Sequence, residues 1–264
     1  MSNLALQIPL PPPEYRHNVG AVDPKRYENP SGDLIYPTIA SRYYRKFFDF
    51  GCGCGRVARQ LALQKIQPEA YLGIDLHAGM IQWCQENITP HVPQFSFLHH
   101  DVFYIGWNKE SPNKVLPFPV DTQDFTFVNA ISVFTHLEQD SAVFYLSEVN
   151  RILANDGIFH ATWFLFDKAD FPMMQDFQNA LYINIADPVN AVIFDRAWVV
   201  NEAQKNNLKI IAIEPPMMRG GQWVLTMARP SHPSPAKTIP AVNTTSGKSA
   251  SWVKRLGLKL VRDE

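Results

Sequence analysis

The segment DFGCGCGR, residues 49–56, places three glycines in alternation with larger residues. An apolar run at residues 46–50 precedes the glycines, and apolar residues at helical spacing follow them. This order predicts a buried strand, a glycine loop at residues 51–55 and then a helix. Because glycine permits positive φ angles and lets the backbone approach a ligand closely, the glycine loop predicts a nucleotide-like ligand at the turn between strand and helix.

The rest of the chain continues to alternate strands and helices. Apolar runs predict further strands over residues 71–74, 95–99, 124–129, 157–166, 209–214 and 222–228. Helical spacing of apolar residues predicts helices over 80–88 and 141–153, and a weaker pattern predicts one over 34–44. Such alternation is typical of βαβ units. The sequence therefore predicts an α/β fold with a doubly wound, mostly parallel sheet of seven strands and helices on both faces.

Composition divides the chain into four parts. Residues 1–45 are predicted to form an irregular N-terminal arm or lid, and residues 46–230 the strand–helix domain. Residues 231–250 are rich in Ser, Pro, Thr, Ala and Lys, which predicts a disordered linker. Residues 251–264 are predicted to form a short basic amphipathic tail, a candidate for weak contact with a membrane or a partner.

Charge and cysteine content narrow the class of protein. The formal net charge of −1 gives no basic field that would hold nucleic acid. Three cysteines are too few for a disulfide scaffold and favour a reducing compartment. No apolar run approaches the roughly 20 residues that span a bilayer, and the N-terminus does not read as a signal peptide. We therefore expect a cytoplasmic protein that does not bind nucleic acid.

Acidic residues at three strand ends decide which nucleotide-like ligand is favoured. A dinucleotide fingerprint would place its last glycine where this chain has Arg56. Asp49, two residues before the first glycine, is unfavourable beside a pyrophosphate but suits an ammonium group. Asp75 ends the second strand and can accept from two ribose hydroxyls, and Asp101 follows the third strand and can accept from an adenine amino group. This pattern favours S-adenosylmethionine.

The chain resembles the class I S-adenosylmethionine-dependent methyltransferases over about residues 46–166, and in particular bacterial small-molecule or sugar-type enzymes. The matching segments are DFGCGCGRVARQL (49–61), YLGIDLHAGMIQWCQEN (71–87), HHDVF (99–103), DFTFVNAISVFTHL (124–137) and EVNRILANDGIFHATWF (148–164). The resemblance implies a Rossmann-like methyltransferase fold, S-adenosylmethionine as cofactor, and a small-molecule acceptor with a sugar or other metabolite hydroxyl favoured.

Twelve residues are predicted to bind the cofactor, with Leu76 and Val102 on the two faces of adenine. They are Asp49, Gly51, Cys52, Gly53, Gly55, Asp75, Leu76, Met80, Asp101, Val102, Asn129 and Ser132.

His136, in the segment SVFTHL after the fourth strand, is the predicted catalytic base. A histidine pKa near 6.5 suits removal of a hydroxyl proton at neutral pH. The alternative is that His136 caps or packs against the following helix beside Glu138. The N/D-P-P-Y-like motif of adenine and amide N-methyltransferases is missing at Asn129, which argues against nucleic-acid bases and protein amides as acceptors.

No metal site is predicted. Cys52 and Cys54 have C-x-C spacing, Cys84 stands alone, and the adjacent His99 and His100 would point to opposite faces of a strand.

Aromatic and basic residues of the arm are candidates for contact with the cofactor or the acceptor, although an ordinary ordered arm explains them equally well. They are Tyr15, Arg16, His17, Tyr27 and Tyr36.

Two other functions stay open at this point. One is a protein that binds S-adenosylmethionine without catalysis, and the other is a nicotinamide-dependent oxidoreductase.

Overall fold

The computed structural model describes residues 8–121, 123–184, 186–216 and 221–242. The helices within them are α1 (Pro13–Asn18), α2 (Arg56–Ala62), α3 (Ala78–Asn87), α4 (Gln139–Ile152) and α5 (Arg196–Lys205). The strands are β1 (Lys46–Phe50), β2 (Ala70–Asp75), β3 (Phe95–His99), β4 (Phe125–Ala130), β5 (Leu153–Phe166), β6 (Ala180–Tyr182), β7 (Val192–Asp195), β8 (Lys209–Glu214) and β9 (Trp223–Ala228). The chain divides into two compact units, residues 1–131 with 148–160, and residues 132–147 with 161–264.

Parallel strands form the centre of the first unit. Their order is β3-β2-β1-β4-β5, and β1 to β4 pair in parallel. In β1, Phe50 lies opposite Ile74 of β2, and Asp49 lies opposite Asn129 of β4. Because an interior parallel strand is covered on both faces, β1 reads as a continuous apolar run rather than as an alternation. This register brings the ends of β1 and β2 together at one edge of the sheet.

Stacked aromatic rings hold these strands in place. The ring centroids of Phe47 and Phe127 are 4.4 Å apart, and those of Tyr71 and Phe95 are 4.8 Å apart. A ring contact between Phe47 and Tyr71 at 5.9 Å joins the two pairs. Each such pair contributes about 0.5–1.5 kcal/mol beyond the area that it buries. The stack therefore fixes β1, which carries the glycine loop at its end.

The second unit contains the rest of β5 and the later strands. β7 runs parallel to β5, with Phe164 opposite Ile193, and β6 is antiparallel to β7. β9 pairs with β5 and, antiparallel, with β8. An aromatic row forms its core, with centroid separations of 4.4 Å from Phe134 to Trp163 and 5.6 Å from Trp163 to Phe194.

The predicted α/β class with a mostly parallel sheet is confirmed. All seven predicted strands are present, and β6 and β7 add two short strands from a stretch that showed no period. The strand predicted over 157–166 begins four residues earlier, at Leu153. Gly157 is needed inside that strand, since a Cβ there would lie 2.7 Å from the carbonyl oxygen of Phe125. The helix predicted over 34–44 is reduced to one 3-10 turn, Ser41–Tyr44.

The predicted disordered linker is wrong for residues 231–242, which pack within the second unit. Ile239 is only 1% exposed. The side chain of Arg196 donates to the Ile239 carbonyl at 2.8 Å, and the amide of Val242 donates to Asp167 Oδ2 at 2.6 Å. A single anchoring isoleucine gives no periodic pattern that the sequence would reveal. The rest of the predicted linker and the predicted tail lie outside the described residues.

None of the helices in the described ranges combines the length and the hydrophobicity needed to cross a bilayer.

Candidate functional site

The glycine loop adopts the backbone conformation that its residue types predict. Gly51, Gly53 and Gly55 have φ angles of 76°, 54° and 77°, in the left-handed region that strains other residues. The amides of Gly51 and Cys52 both donate to the carbonyl of Ile74, at 2.8 and 3.0 Å. The loop is therefore tied to the carboxyl end of β2 as well as to β1.

Close packing is a second reason why two of these positions require glycine. A Cβ at Gly53 would lie 2.6 Å from Cγ1 of Val19, and a Cβ at Gly55 would lie 2.5 Å from Cδ1 of Ile88. Val19 follows α1 of the N-terminal arm, and Ile88 follows α3. The arm and α3 therefore leave no room for a side chain at either position.

Asp75 is held by the backbone at the end of β2. Its Oδ2 accepts from the Gly53 amide at 2.8 Å, and its Oδ1 accepts from the His77 amide at 2.9 Å. Burial raises the pKa of Asp75, and the two amide hydrogen bonds oppose that rise. Each carboxylate oxygen can accept one further hydrogen bond. This geometry leaves Asp75 able to accept from two ribose hydroxyls.

Asp49 lies in a buried polar chain, which comprises Tyr36, Asn129, Asp49 and Tyr71. Asn129 Nδ2 donates to Asp49 Oδ1, and the Tyr71 hydroxyl donates to Asp49 Oδ2, both at 2.7 Å. The Tyr36 hydroxyl donates to Asn129 Oδ1 at 3.1 Å. Asp49 is 1% exposed, and burial raises its pKa to about 6.

No sequence signal indicated the role of Tyr71, because a tyrosine in a buried strand usually reads as core. The hydrogen bond from Tyr36 to Asn129 joins residues 93 positions apart, and no local sequence pattern predicts it.

Asp101 is engaged by the loop that follows it. Asn108 Nδ2 donates to Asp101 Oδ1 at 2.9 Å, and this bond lowers the pKa of the Asp101 carboxyl. Ser111 Oγ donates to the backbone carbonyl of Asp101 at 2.8 Å. The observed contacts are thus those of a residue that shapes a turn, and contact with adenine stays a prediction. Val102 is buried and Leu76 is half-buried.

The three acids nonetheless share one edge of the sheet. β3, β2 and β1 are adjacent and parallel, so their carboxyl ends meet at the same edge. Asp49 lies next to the end of β1, Asp75 ends β2 opposite His99, and Asp101 lies two residues beyond His99. Ligands of open α/β sheets bind at this edge. Three carboxyl groups suit an ammonium, a ribose diol and an adenine amino group, and disfavour phosphates. This donor set fits S-adenosylmethionine.

Cys52 and Met80 are buried beside the glycine loop. Cys52 Sγ lies 3.7 Å from the Gly53 carbonyl, and Met80 Sδ lies 4.0 Å from a Cβ position at Gly53. Their contact with the cofactor stays a prediction. Within the ranges that the structure describes, the cysteines are free and no group of three or more His, Cys, Asp or Glu side chains has the arrangement of a metal site.

The N-terminal arm contacts the glycine loop and the end of β2. The hydroxyl of Tyr27 lies 3.3 Å from Cys54 Sγ, and Arg59 Nη1 donates to the Tyr27 carbonyl at 2.8 Å. The rings of Tyr15 and His77 meet edge to face, 5.5 Å apart. Tyr15, Tyr27 and Tyr36 therefore each have a defined contact within the first unit.

Ser132 lies in the second unit and has an unusual backbone. Its φ of 59° is left-handed, which costs free energy in a residue other than glycine. Its amide donates to Thr162 Oγ1 at 2.7 Å, and its hydroxyl donates to Gln222 Oε1 at 3.1 Å. These two bonds hold the strained turn that follows β4. Contact between Ser132 and the cofactor stays a prediction.

His136 ends a short 3-10 helix, the histidine turn (Phe134–His136). Its Nδ1 donates to the carbonyl of Val189 at 2.9 Å, so Nε2 carries the lone pair of the neutral ring. Burial lowers the pKa of His136, opposed by the Val189 and Asn190 carbonyls and by the Asp187 carboxylate. A neutral ring with a basic Nε2 can take a proton. The hydrogen bond runs to the aspartate turn (Asp187–Asn190), not to α4 as the capping alternative predicted.

Comparisons with known proteins indicate the kind of domain and the fold. Residues 47–157 match a family model described as a methyltransferase domain. A chain from the complex between the Haloferax volcanii Trm112 methyltransferase activator and its assigned methyltransferase superposes with a TM-score of 0.55, at 14% identity, over 83% of this chain and 95% of that one. An S-adenosylmethionine-dependent methyltransferase from Methanosarcina mazei gives a TM-score of 0.50, at 16% identity, over 75% of this chain and 98% of that one.

These structural similarities establish a shared fold, the Rossmann-like methyltransferase fold that the sequence predicted. The matched family also favours methyl transfer over the nicotinamide-dependent alternative.

Proposed function

Since this chain is a class I S-adenosylmethionine-dependent methyltransferase, we propose that it moves the methyl group to a hydroxyl of a small molecule, such as a sugar or another hydroxylated metabolite. The observation that carries the proposal is which ring nitrogen of His136 holds the proton. Its Nδ1–H is committed to the Val189 carbonyl, which leaves Nε2 as a proton acceptor. A hydroxyl acceptor needs such a base, whereas a neutral amine does not.

Three carboxyl groups would hold the cofactor in the first unit. Asp75 would accept from the ribose hydroxyls, Asp101 would accept from the adenine amino group, and Asp49 would favour the ammonium group through its buried charge. When bound, S-adenosylmethionine supplies a methyl group whose bond to sulfur breaks, with the electron pair left on sulfur, as the acceptor oxygen bonds to carbon. The protein contributes alignment and exclusion of water.

His136 would receive the acceptor's proton at Nε2. Because burial lowers the pKa of His136, the ring is neutral at physiological pH and ready to accept that proton. Removing the proton as the methyl arrives prevents a positively charged oxygen from forming. A positioned base of this kind contributes about 10²–10⁴-fold to a rate.

The acceptor panel is the first test. Purified protein is incubated with S-adenosylmethionine that carries a labelled methyl group and with matched sets of neutral glycosides, phenols, primary amines and carboxylates. We expect label in ether products. Label found only on nitrogen or on a carboxylate would contradict the proposal, and cofactor binding without transfer would favour the non-catalytic alternative.

A histidine variant then tests the base. We expect His136→Gln to lower kcat by about a thousandfold with little change in KM. The matched control is His91→Gln, in the loop between α3 and β3, which should leave kcat unchanged. The cytoplasmic location and the role of the C-terminal tail stay predictions.

A further inference from the structure

Exposed apolar side chains lie beside the edge of the sheet where the cofactor is expected. Trp107 is 46% exposed, and its neighbours Phe103 and Ile105 are 49% and 50% exposed. All three belong to the loop between β3 and β4 in the first unit. Because groups of exposed apolar side chains are typical of ligand and partner sites, the contacts of this loop are informative.

A tight turn of the backbone holds Trp107 in place. The amides of Trp107 and Asn108 both donate to the carbonyl of Tyr104, at 3.2 and 2.9 Å. Tyr104 and Asn108 also form an antiparallel β-bridge. The rings of Tyr104 and Trp107 lie 5.2 Å apart, so the tyrosine supports the indole from within the turn. We call residues 104–108 the tryptophan turn.

The tryptophan turn is tied to the residues that follow β3. Asn108 Nδ2 donates to Asp101 Oδ1 and to the Val102 carbonyl, both at 2.9 Å. Asp101 is the predicted partner of the adenine amino group. Since Asn108 directly follows Trp107, the indole is one residue away from the side chain that fixes Asp101.

The indole also reaches the residues that follow β2. Its ring lies 6.1 Å from the ring of His77, which is two residues beyond Asp75. The His77 amide donates to Asp75 Oδ1 at 2.9 Å. Trp107 therefore lies between the ends of two neighbouring strands, one of which carries Asp75 and the other Asp101.

The chemistry of an indole restricts what it covers at this position. A ligand whose ribose binds Asp75 and whose adenine amino group binds Asp101 places its purine between these two carboxyl groups. Val102, a predicted contact of adenine, is 8% exposed and offers little surface, whereas much of the indole is accessible. Aromatic side chains stack on purine bases because both have flat π-faces.

We propose that the Trp107 indole covers the purine of the cofactor on its solvent side, which makes Trp107 a further cofactor-binding residue. The inference rests on the part of the proposed function that places the cofactor between Asp75 and Asp101, and not on the nature of the methyl acceptor. The indole is open to water in the unliganded protein, and the bound purine removes it from water. Adenosine alone carries the group that Trp107 contacts.

Acrylamide quenching of tryptophan fluorescence tests this contact, because dissolved acrylamide quenches an accessible indole and not a covered one. Full-length protein is titrated with S-adenosylhomocysteine, adenosine or homocysteine. Trp107→Phe identifies the contribution of Trp107, and Trp163, Trp198 and Trp223 are buried. We expect both adenosine compounds to lower the quenching constant of the wild type, saturably, to that of Trp107→Phe. Homocysteine should leave it unchanged.

The affinity for S-adenosylhomocysteine, measured by calorimetry, is the second readout. Trp107→Ala should weaken binding about tenfold, and Trp107→Phe, which keeps an aromatic face, by less than about threefold. Ile105→Ala removes an equally exposed apolar side chain from the same turn and should bind as the wild type does. Thermal unfolding checks that each variant is folded.

Four results would overturn the proposal. They are Trp107 quenching that neither adenosine compound reduces, an equal reduction by homocysteine, unchanged affinity in a folded Trp107→Ala protein, or equal losses in Trp107→Ala and Ile105→Ala. The proposed function fails separately, because these measurements involve no methyl transfer. Protection of Trp107 without ether products would contradict the hydroxyl acceptor alone. Ether products together with unchanged affinity in Trp107→Ala would contradict the Trp107 contact alone.

Discussion

The two units differ in whether certain buried polar side chains have hydrogen-bond partners within the protein. In the first, both oxygens of Asp49 and both oxygens of Asp75 accept hydrogen bonds from the protein itself. In the second, Thr135, Trp163 and Asp187 each keep an atom that nothing in the described chain satisfies. On our proposal, the cofactor that every turnover requires meets a site whose carboxylates are already held in place.

The largest expected effect on cofactor binding is on the assembled side, at Asp75. Asp75→Ala removes the acceptor for the Gly53 and His77 amides as well as for the ribose, so we expect about a hundredfold loss of affinity for S-adenosylhomocysteine. Isothermal titration calorimetry measures it. Glu69→Ala, an exposed acid just before β2, is the control. Unchanged affinity in a folded Asp75→Ala protein would remove Asp75 from the site.

The next largest effect is a change in the free energy of unfolding with pH, caused by the Asp49 carboxyl group. Its pKa is about 6 in the folded protein against 3.8 as the ordinary value, so the folded state holds the proton more tightly. The stabilisation from this group is therefore full below pH 4, is lost as pH rises through 6, and amounts to about 2–3 kcal/mol. The Asp49→Asn protein should not lose this stabilisation as pH rises.

Urea unfolding at pH 4.5 and pH 7.5 measures the difference between Asp49→Asn and the wild type. The variant should gain relative to the wild type as pH rises. A difference that is constant with pH would mean that Asp49 is already ionised at pH 4.5 in the folded protein.

Cofactor affinity should depend on pH through the same carboxyl group. Because an ammonium group binds an ionised carboxylate better, affinity for S-adenosylhomocysteine should fall by up to about tenfold between pH 7 and pH 5. Calorimetry at both values checks it. Affinity that is independent of pH would show that the amino-acid end of the cofactor does not sense Asp49.

The smallest effects are a pair with opposite signs. Tyr71→Phe removes the donor to Asp49 Oδ2 and should destabilise the protein by about 1–2 kcal/mol. Thr135→Val removes a buried hydroxyl that has no partner and should stabilise the unliganded protein by about 1 kcal/mol. Thermal unfolding compares the two. Destabilisation by both variants would mean that Thr135 is already satisfied, and the contrast between the units would disappear.

Local patterns in the sequence predicted the first unit well. β1 is a largely apolar run followed by Gly51, β2 ends in Asp75, and the glycine loop has a conformation that few other residues adopt. The carboxyl groups of Asp49 and Asp75 then followed from their positions at strand ends. Parallel pairing brings such ends together without any need to know the side-chain contacts.

Long-range contacts were beyond the same reasoning. Nothing near Tyr36 in the sequence points to Asn129, and nothing near Ile239 shows that it is buried against the second unit. β6 has three residues and β7 four, too few to display a period. Whether an atom such as Trp163 Nε1 has a hydrogen-bond partner depends on how the side chains pack, which the sequence does not show.

Tyrosines of the N-terminal arm carry a consequence for where this protein can be cut. Composition suggested a boundary between residues 45 and 46, at the start of β1. Yet Tyr27 and Tyr44, at 0% and 1% exposed, are among the largest fully buried side chains, and Tyr36 begins the polar chain that holds Asp49. A shortened chain that begins at residue 46 would expose the apolar surface that these rings cover and open Asp49 to water. The arm is therefore a structural part of the domain, and we expect its removal by a protease to disrupt the proposed cofactor site.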